Sequence, residues 1–136
     1  MLFTPKKFKF KKQQKKNNFN QICSNFNEKG SNNLSLKAMS FGRITSKQLI
    51  SIRQTIKKNI KKVGKITFHV FPQTPVSKKP KEIRMGKGKG AVDHWISKIK
   101  VGQTICEIKT ESFLKGIKAL KLASFRLPLK TKIVYT

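Results

Sequence analysis

Thirty-two lysines and arginines stand against five acidic residues in a chain of 136, a formal net charge of +27 at neutral pH. That imbalance limits what the chain can fold into more than any motif does. Like charges crowded on one compact surface repel, and the repulsion opposes the folded state unless a polyanion is at hand. Nucleic acid is the first candidate partner, an anionic membrane surface the second, and an acidic protein the third. The cations are also one-sided in kind. Arginine stands only at positions 43, 53, 84 and 126, and the rest are lysine. Reading base edges favours the planar arginine fork. Lysine serves as a point charge for phosphates, so backbone and shape recognition is expected rather than a base code.

The length suits one compact domain with a modest core, and Leu, Ile, Val and Phe are plentiful enough to build it. The excess of Lys, Asn, Ile and Phe points to an adenine- and thymine-rich genome. Cys23 and Cys106 are far apart and form neither a metal-like pair nor a disulfide framework. No apolar stretch is long enough to span a membrane. The opening MLFTPKKFKFKKQQKK is basic and free of acids like a transit peptide, but lacks the Arg and Ser enrichment of one.

Residues 6–16 hold seven lysines in eleven positions, namely Lys6, Lys7, Lys9, Lys11, Lys12, Lys15 and Lys16. Residues 17–33 are rich in asparagine. Neither stretch buries enough apolar surface to offset its ordering entropy. We read 1–33 as an extended basic arm, ordered against its partner, and 34–136 as a single α+β domain. A solvated tail is the alternative reading of the arm.

TSKQLISIRQTIKKNIKKVG predicts the first helix. Thr45 and Gln48 have capping-box spacing, and Leu49, Ile52, Ile56, Ile60 and Val63 form one apolar stripe. Lys57, Lys58, Lys61 and Lys62 crowd the end where the dipole favours cations. Gly64 stands where a cap belongs. KITFHVF alternates as a half-buried strand. Pro72, Pro75 and Pro80 then predict an irregular connection, with a short strand over 81–85. AVDHWISKIK and TICEIK read as strands about a turn at Val101-Gly102-Gln103. TESFLKGIKALKLASFR predicts a second helix with Phe113, Leu114, Ile117, Leu120 and Ala123 facing inward, and LKTKIVYT a closing strand. The expected fold class is α+β, a mainly antiparallel sheet with two helices on one face.

Catalytic chemistry finds no footing. Glu28, Glu82, Asp93, Glu107 and Glu111 show no paired-carboxylate spacing. Glu111 suits a helix start. His69 and His94 have no metal-like neighbours and read as surface or RNA-facing groups. Cys106 reads as an inert core thiol, and no nucleophile–base set exists. We expect no enzyme activity, no metal and no cofactor.

Between Arg84 and Gly90 the chain reads RMGKGKG. It matches neither GxxxxGK[ST] nor GxGxxG, and no Ser or Thr follows to hold magnesium. Glycines without Cβ let backbone approach another surface closely and take positive φ, and their amides can donate to phosphate. Lys87 and Lys89 add counter-charge and Arg84 a fork donor. The plain alternative is a flexible solvated turn.

FPQTPVSKKPKEIRMGKGKGAVDHWISKIKVGQ, residues 71–103, resembles the signature of the sixteenth large-subunit ribosomal protein family, bacterial and organellar type. The family's FP…P…KP…E…RMGxGKG…W pattern is present throughout. PKKFKFKKQQK resembles its basic leader, SLKAMSFGRITSKQLISIRQ the approach to its first helix, and LKLASFRLPLKTKIV its last helix and strand. The chain departs from the pattern in the asparagine-rich run from Lys16 to Asn33 and in Ser35, which stands at a family glycine. The resemblance implies a structural, non-enzymatic constituent of the large ribosomal subunit, bound to its rRNA near the peptidyl-transferase centre and the aminoacyl-tRNA path.

On that resemblance Arg84, Lys87 and Lys89 neutralise RNA around the tRNA path, and Gly86, Gly88 and Gly90 allow the close approach. Met85, Lys79, Arg43 and the seven arm lysines complete the implied rRNA- and tRNA-binding set. Implied partners are large-subunit rRNA, tRNA and neighbouring large-subunit proteins, without homo-oligomer or membrane span. The resemblance implies that the leader corresponds to the family's mature start, with no presequence expected before it. With the composition, this makes a mitochondrial ribosome the expected location, a plastid-like organelle or small-genome bacterium being the alternatives. The rival from another class is a basic membrane-surface protein. It needs an apolar helical face, and Phe8 and Phe10, two residues apart, do not share one.

Overall fold

The computed structural model describes residues 3–10, 12–14, 22–23, 33–60, 64–86 and 88–135. Its element order is β1 (Leu34–Ala38), β2 (Gly42–Thr45), α1 (Ser46–Ile60), β3 (Lys65–Phe68), β4 (Thr74–Lys78), β5 (Ala91–Ile99), β6 (Thr104–Lys109), α2 (Phe113–Ser124) and β7 (Thr131–Tyr135). The α+β class expected from the sequence is what forms. Its strands divide between two sheets, one ordered β3-β6-β1-β7 and the other β2-β5-β4. All the pairings within them are antiparallel.

The two sheets share a bent ribbon. β1 pairs with β6, and β2 pairs with β5. The chain therefore turns the same corner twice, at 39–41 and at 100–103. Gly102 takes a φ of 83° there, and its N–H donates to the Ala38 carbonyl at 2.8 Å. Gly42 begins β2 where a Cβ would run into the Leu129 side chain. The turn at Val101-Gly102-Gln103 thus exists as expected, but it carries the chain from one sheet into the other.

β1 is the inner strand that the hydrophobic pattern hid. All five of its residues are buried, Ser35 and Lys37 included. Ser35 is satisfied across the ladder, its hydroxyl donating to the Val134 carbonyl at 3.1 Å. Burial of this kind without a hydrogen bond would be costly. Around β1 the core gathers Leu36, Ile44, Leu49, Ile52, Ile56, Ile99, Ile105, Ile108 and Leu120, all fully buried. Each such Leu or Ile contributes about 1.5–3 kcal/mol of transfer free energy.

α1 follows its sequence signals closely. The Gln48 side-chain carbonyl accepts from the Thr45 N–H at 2.8 Å, and the Thr45 hydroxyl accepts from the Gln48 N–H at 3.3 Å. That is the reciprocal capping box. Leu49, Ile52, Ile56 and Ile60 are its buried stripe, and Lys57 and Lys58 close its last turn. Lys61, Lys62 and Val63 lie outside the described residues. Gly64 takes no left-handed φ; a Cβ there would strike the Ile60 side chain.

Three expectations are corrected. α2 turns inward its small residues, Gly116, Ala119 and Ala123, with Leu120. Phe113 and Leu114 face outward instead, at 48% and 79% exposure. The small stripe lets α2 approach closely; a Cβ on Gly116 would lie 2.5 Å from Leu34 Cδ1. Residues 74–78 form a strand rather than an irregular connection. Pro75 is tolerated because β4 is the outer strand of its sheet, and Pro72 and Pro75 are buried. Residues 81–85 form turns and bends, not a strand.

Candidate nucleic-acid interface

The glycine–lysine loop joins β4 to β5, so an antiparallel pair holds both its ends. Lys78 pairs with Ala91 at the root. Gly90 is the residue that makes this root fit. A Cβ there would lie 2.5 Å from the Lys78 carbonyl oxygen and 2.9 Å from the Lys79 nitrogen. Backbone cannot yield to that cheaply. Gly86 and Gly88 serve differently. They take left-handed φ of 98° and 78° with open space around the missing Cβ. The expected close approach to an outside surface therefore has room at these two, while Gly90 uses its freedom inside the fold.

Lys79 reaches along the loop and donates to the Gly86 carbonyl. Arg84, Gly86, Gly88 and Lys89 are exposed, and Met85 is exposed completely. Lys87 lies outside the described residues, as do Lys11, Lys15 and Lys16. Lys6, Lys7 and Lys9 are exposed on the leader. Arg43 stands apart on β2, half-buried, opposite Lys98 of β5.

The described parts of the leader are tied to the domain. Phe3 is buried in the core, 1% exposed, its ring edge-on to Phe68 at 5.2 Å. Phe8 packs on Trp95 of β5 with centroids 5.0 Å apart. The leader then meets the loop. Lys12 Nζ donates to the Lys89 carbonyl at 2.8 Å, and Lys89 Nζ donates to the Gln13 carbonyl. Each lysine is thus held by the other segment's backbone, and the two most basic stretches form one unit. Further along, the Cys23 N–H donates to the Val101 carbonyl at 2.9 Å.

Two acids are paired with a histidine, one in each sheet. Asp93 Oδ2 and His94 Nδ1 are 2.9 Å apart at the base of the loop. The hydrogen bond from His94 holds the Asp93 carboxyl below its usual range, assisted by the charges of Lys78 and Lys47. His69, the residue after β3, has its Nε2 3.2 Å from Glu107 Oε1 of β6. Neither histidine has the company a metal needs: among the described residues no three His, Cys, Asp or Glu side chains cluster. Burial pushes the Cys106 thiol up to about 12, with the Glu107 charge adding to it, so it stays protonated and inert.

Sequence reasoning missed Phe3, Phe8, Gln13 and Trp95. Only the phenylalanines at positions 3, 8 and 10 carried a signal. A segment otherwise made of lysine offered no period by which to match them to the domain.

The family described as ribosomal protein L16p/L10e matches residues 5–134. The chain belongs to that family. The large ribosomal subunit protein uL16 of Buchnera aphidicola subsp. Cinara cedri (strain Cc) is 41% identical over 98% of this chain and 96% of its own length. The uL16c protein of Euglena longa is 40% identical over 98% of both chains. The uL16 protein of Acinetobacter baylyi (strain ATCC 33305 / BD413 / ADP1) is 39% identical over 98% and 96%. The family is one of structural ribosomal proteins, not enzymes, so the tethered basic loop stands on a scaffold with no reaction of its own.

Proposed function

We propose that this chain is an rRNA-binding scaffold of the large ribosomal subunit whose leader and glycine–lysine loop together face RNA near the peptidyl-transferase centre and the aminoacyl-tRNA path. The observation that carries the reading is the exchange of hydrogen bonds between Lys12 and the Lys89 carbonyl and between Lys89 and the Gln13 carbonyl. It joins the leader cations Lys6, Lys7, Lys9 and Lys12 to the exposed Lys79, Arg84, Met85, Gly86, Gly88 and Lys89 in one basic surface. Lys87, Lys11, Lys15 and Lys16 extend it by sequence. Backbone amides at the left-handed glycines and point-charge lysines suit phosphate recognition without a base code. Neighbouring large-subunit proteins and tRNA complete the partners. The excess of Lys, Asn, Ile and Phe, read as the mark of an adenine- and thymine-rich genome, favours a mitochondrial ribosome as the place of work.

Three measurements test this. The full chain should travel with large subunits through a high-salt gradient, in the mitochondrial fraction; a chain found free of subunits sinks the reading. Binding of the isolated chain to large-subunit rRNA should weaken with salt, each phosphate neutralised adding about −0.7 to −0.9 to the log–log slope. Lys87→Ala with Lys89→Ala should impair tRNA accommodation while leaving the thermal unfolding transition in place.

A further inference from the structure

We propose that the outward face of α2 is a second RNA-binding surface, in which Lys118 and Lys121 take phosphates and Phe125 stacks on an unpaired base. The inference rests on the ribosomal reading above but concerns residues outside the leader and loop.

The face is defined by helical spacing. Gly116, Ala119, Leu120 and Ala123 point inward. The stripe directly opposite runs Leu114, Lys118, Lys121, Phe125, at offsets of four, seven and eleven residues, and therefore lies along one line. It spans about 16 Å at the helical rise. Leu114 is 79% exposed and Phe125 75%, and both lysines are exposed. Scattered exposed apolar groups are ordinary; two large ones closing both ends of a lysine stripe are not scattered.

Charge says what covers this face. Glu111 is the last acidic residue of the sequence, so α2 and everything after it carry cations only, with Lys115 and Arg126 flanking the stripe. The partner is therefore a polyanion. A membrane would need a continuous apolar stripe to sink into the acyl boundary, and here two lysines interrupt the line between Leu114 and Phe125. Single-stranded RNA fits the alternation, since its backbone follows cations and its bases need an aromatic platform.

The backbone that presents Phe125 is held in place. It ends α2 at a φ of −66° and ψ of −14°. The turn beyond it is closed by Arg126 N–H to the Ala123 carbonyl and Leu127 N–H to the Ser124 carbonyl, both at 3.0 Å. The Ser124 hydroxyl donates to the Lys121 carbonyl at 2.7 Å.

The test uses the full chain with protein-free large-subunit rRNA across a salt series. Lys118→Gln with Lys121→Gln should reduce the steepness of the log–log salt slope by about 1.5. Phe125→Ala should weaken binding roughly ten-fold or more at fixed salt without changing the slope. Phe125→Leu keeps an apolar side chain and should lose as much, whereas Phe125→Trp should retain binding; a merely structural Phe125 would not separate Leu from Trp in that way. Lys79→Gln with Lys89→Gln reports on the loop surface in the same assay. If that variant is weakened while the α2 variants bind like the unaltered chain, the α2 inference is wrong and the loop reading stands. If the unaltered chain does not bind the RNA, both fall. If the α2 variants lose affinity only for anionic phosphatidylserine vesicles, the face is a membrane surface and the proposal is overturned.

Discussion

Gly86, Gly88 and Gly90 look alike in RMGKGKG, yet the fold uses them for two purposes. Gly88 holds a φ of 78° in open space, so an alanine there carries backbone strain of about 1–2 kcal/mol and no collision. Gly90→Ala places its methyl against the Lys78 backbone and must part the root of β4 and β5. Thermal unfolding should show a larger drop in Tm for Gly90→Ala than for Gly88→Ala, and Gly88→Asn should be milder than either because asparagine tolerates left-handed φ. Equal losses for the two alanines would contradict this division. The cysteines divide as well: Cys106 is fully buried and Cys23 is half-buried. A thiol reagent should modify Cys23 in the folded chain and Cys106 only on unfolding. Cys106 also sets a pH dependence. An unfolded thiol ionises near about 8.5, while the folded one is pushed up to about 12. Below the lower value its contribution to stability is fully present. As pH rises from there towards the upper value, the unfolded chain sheds a proton that the folded chain keeps, and stability falls. Cys106→Ala should flatten that alkaline decline, as read by denaturant titration at a series of pH values.

Among the elements, α1 was legible because its signals were local. The capping pair is three residues apart, and the apolar stripe repeats within one helix. Thr45→Ala should therefore cost about 1 kcal/mol in denaturant unfolding, with Thr45→Gly costing less. A negligible loss for Thr45→Ala would mean the box is made but contributes nothing. α2 was legible as a helix but not in its orientation. Leu114 and Phe113 drew the inward assignment because they are the largest apolar groups at its start. Close packing of α2 on α1 and β1 chose Gly116, Ala119 and Ala123 instead. β1 and β2 went unread since LSLKA and GRIT are short and mix polar with apolar residues. β4 was hidden by Pro75, which is compatible with a strand only because the tertiary arrangement leaves β4 at an edge.

For the molecule as a whole, the leader is the least expected part of the architecture. Phe3 sits in the core against Phe68, and Phe8 sits on Trp95. The basic leader is therefore also a strut that fixes the loop. Phe3→Ala should destabilise the isolated chain by about 3 kcal/mol, and it should weaken rRNA binding as well, because the Lys12–Lys89 contacts depend on where the leader lies. Unfolding unchanged by Phe3→Ala would show that the buried ring adds nothing to the fold. A net charge of +27 acts against all of this packing. The folded chain is better held where phosphates intervene between its cations than where it stands alone.

Charge, the RMGKGKG signature and the short-range patterns together determined the family, the α+β class and the first helix, and pointed to a polyanionic partner. All of these depend on residue type or on neighbours a few positions apart. The division of strands into two sheets, the inward face of α2, the separate duties of the loop glycines and the meeting of leader with loop were decided in three dimensions. They depend on contacts between segments such as Lys12 and Lys89, 77 positions apart, and no local preference encodes which distant backbone a side chain will reach.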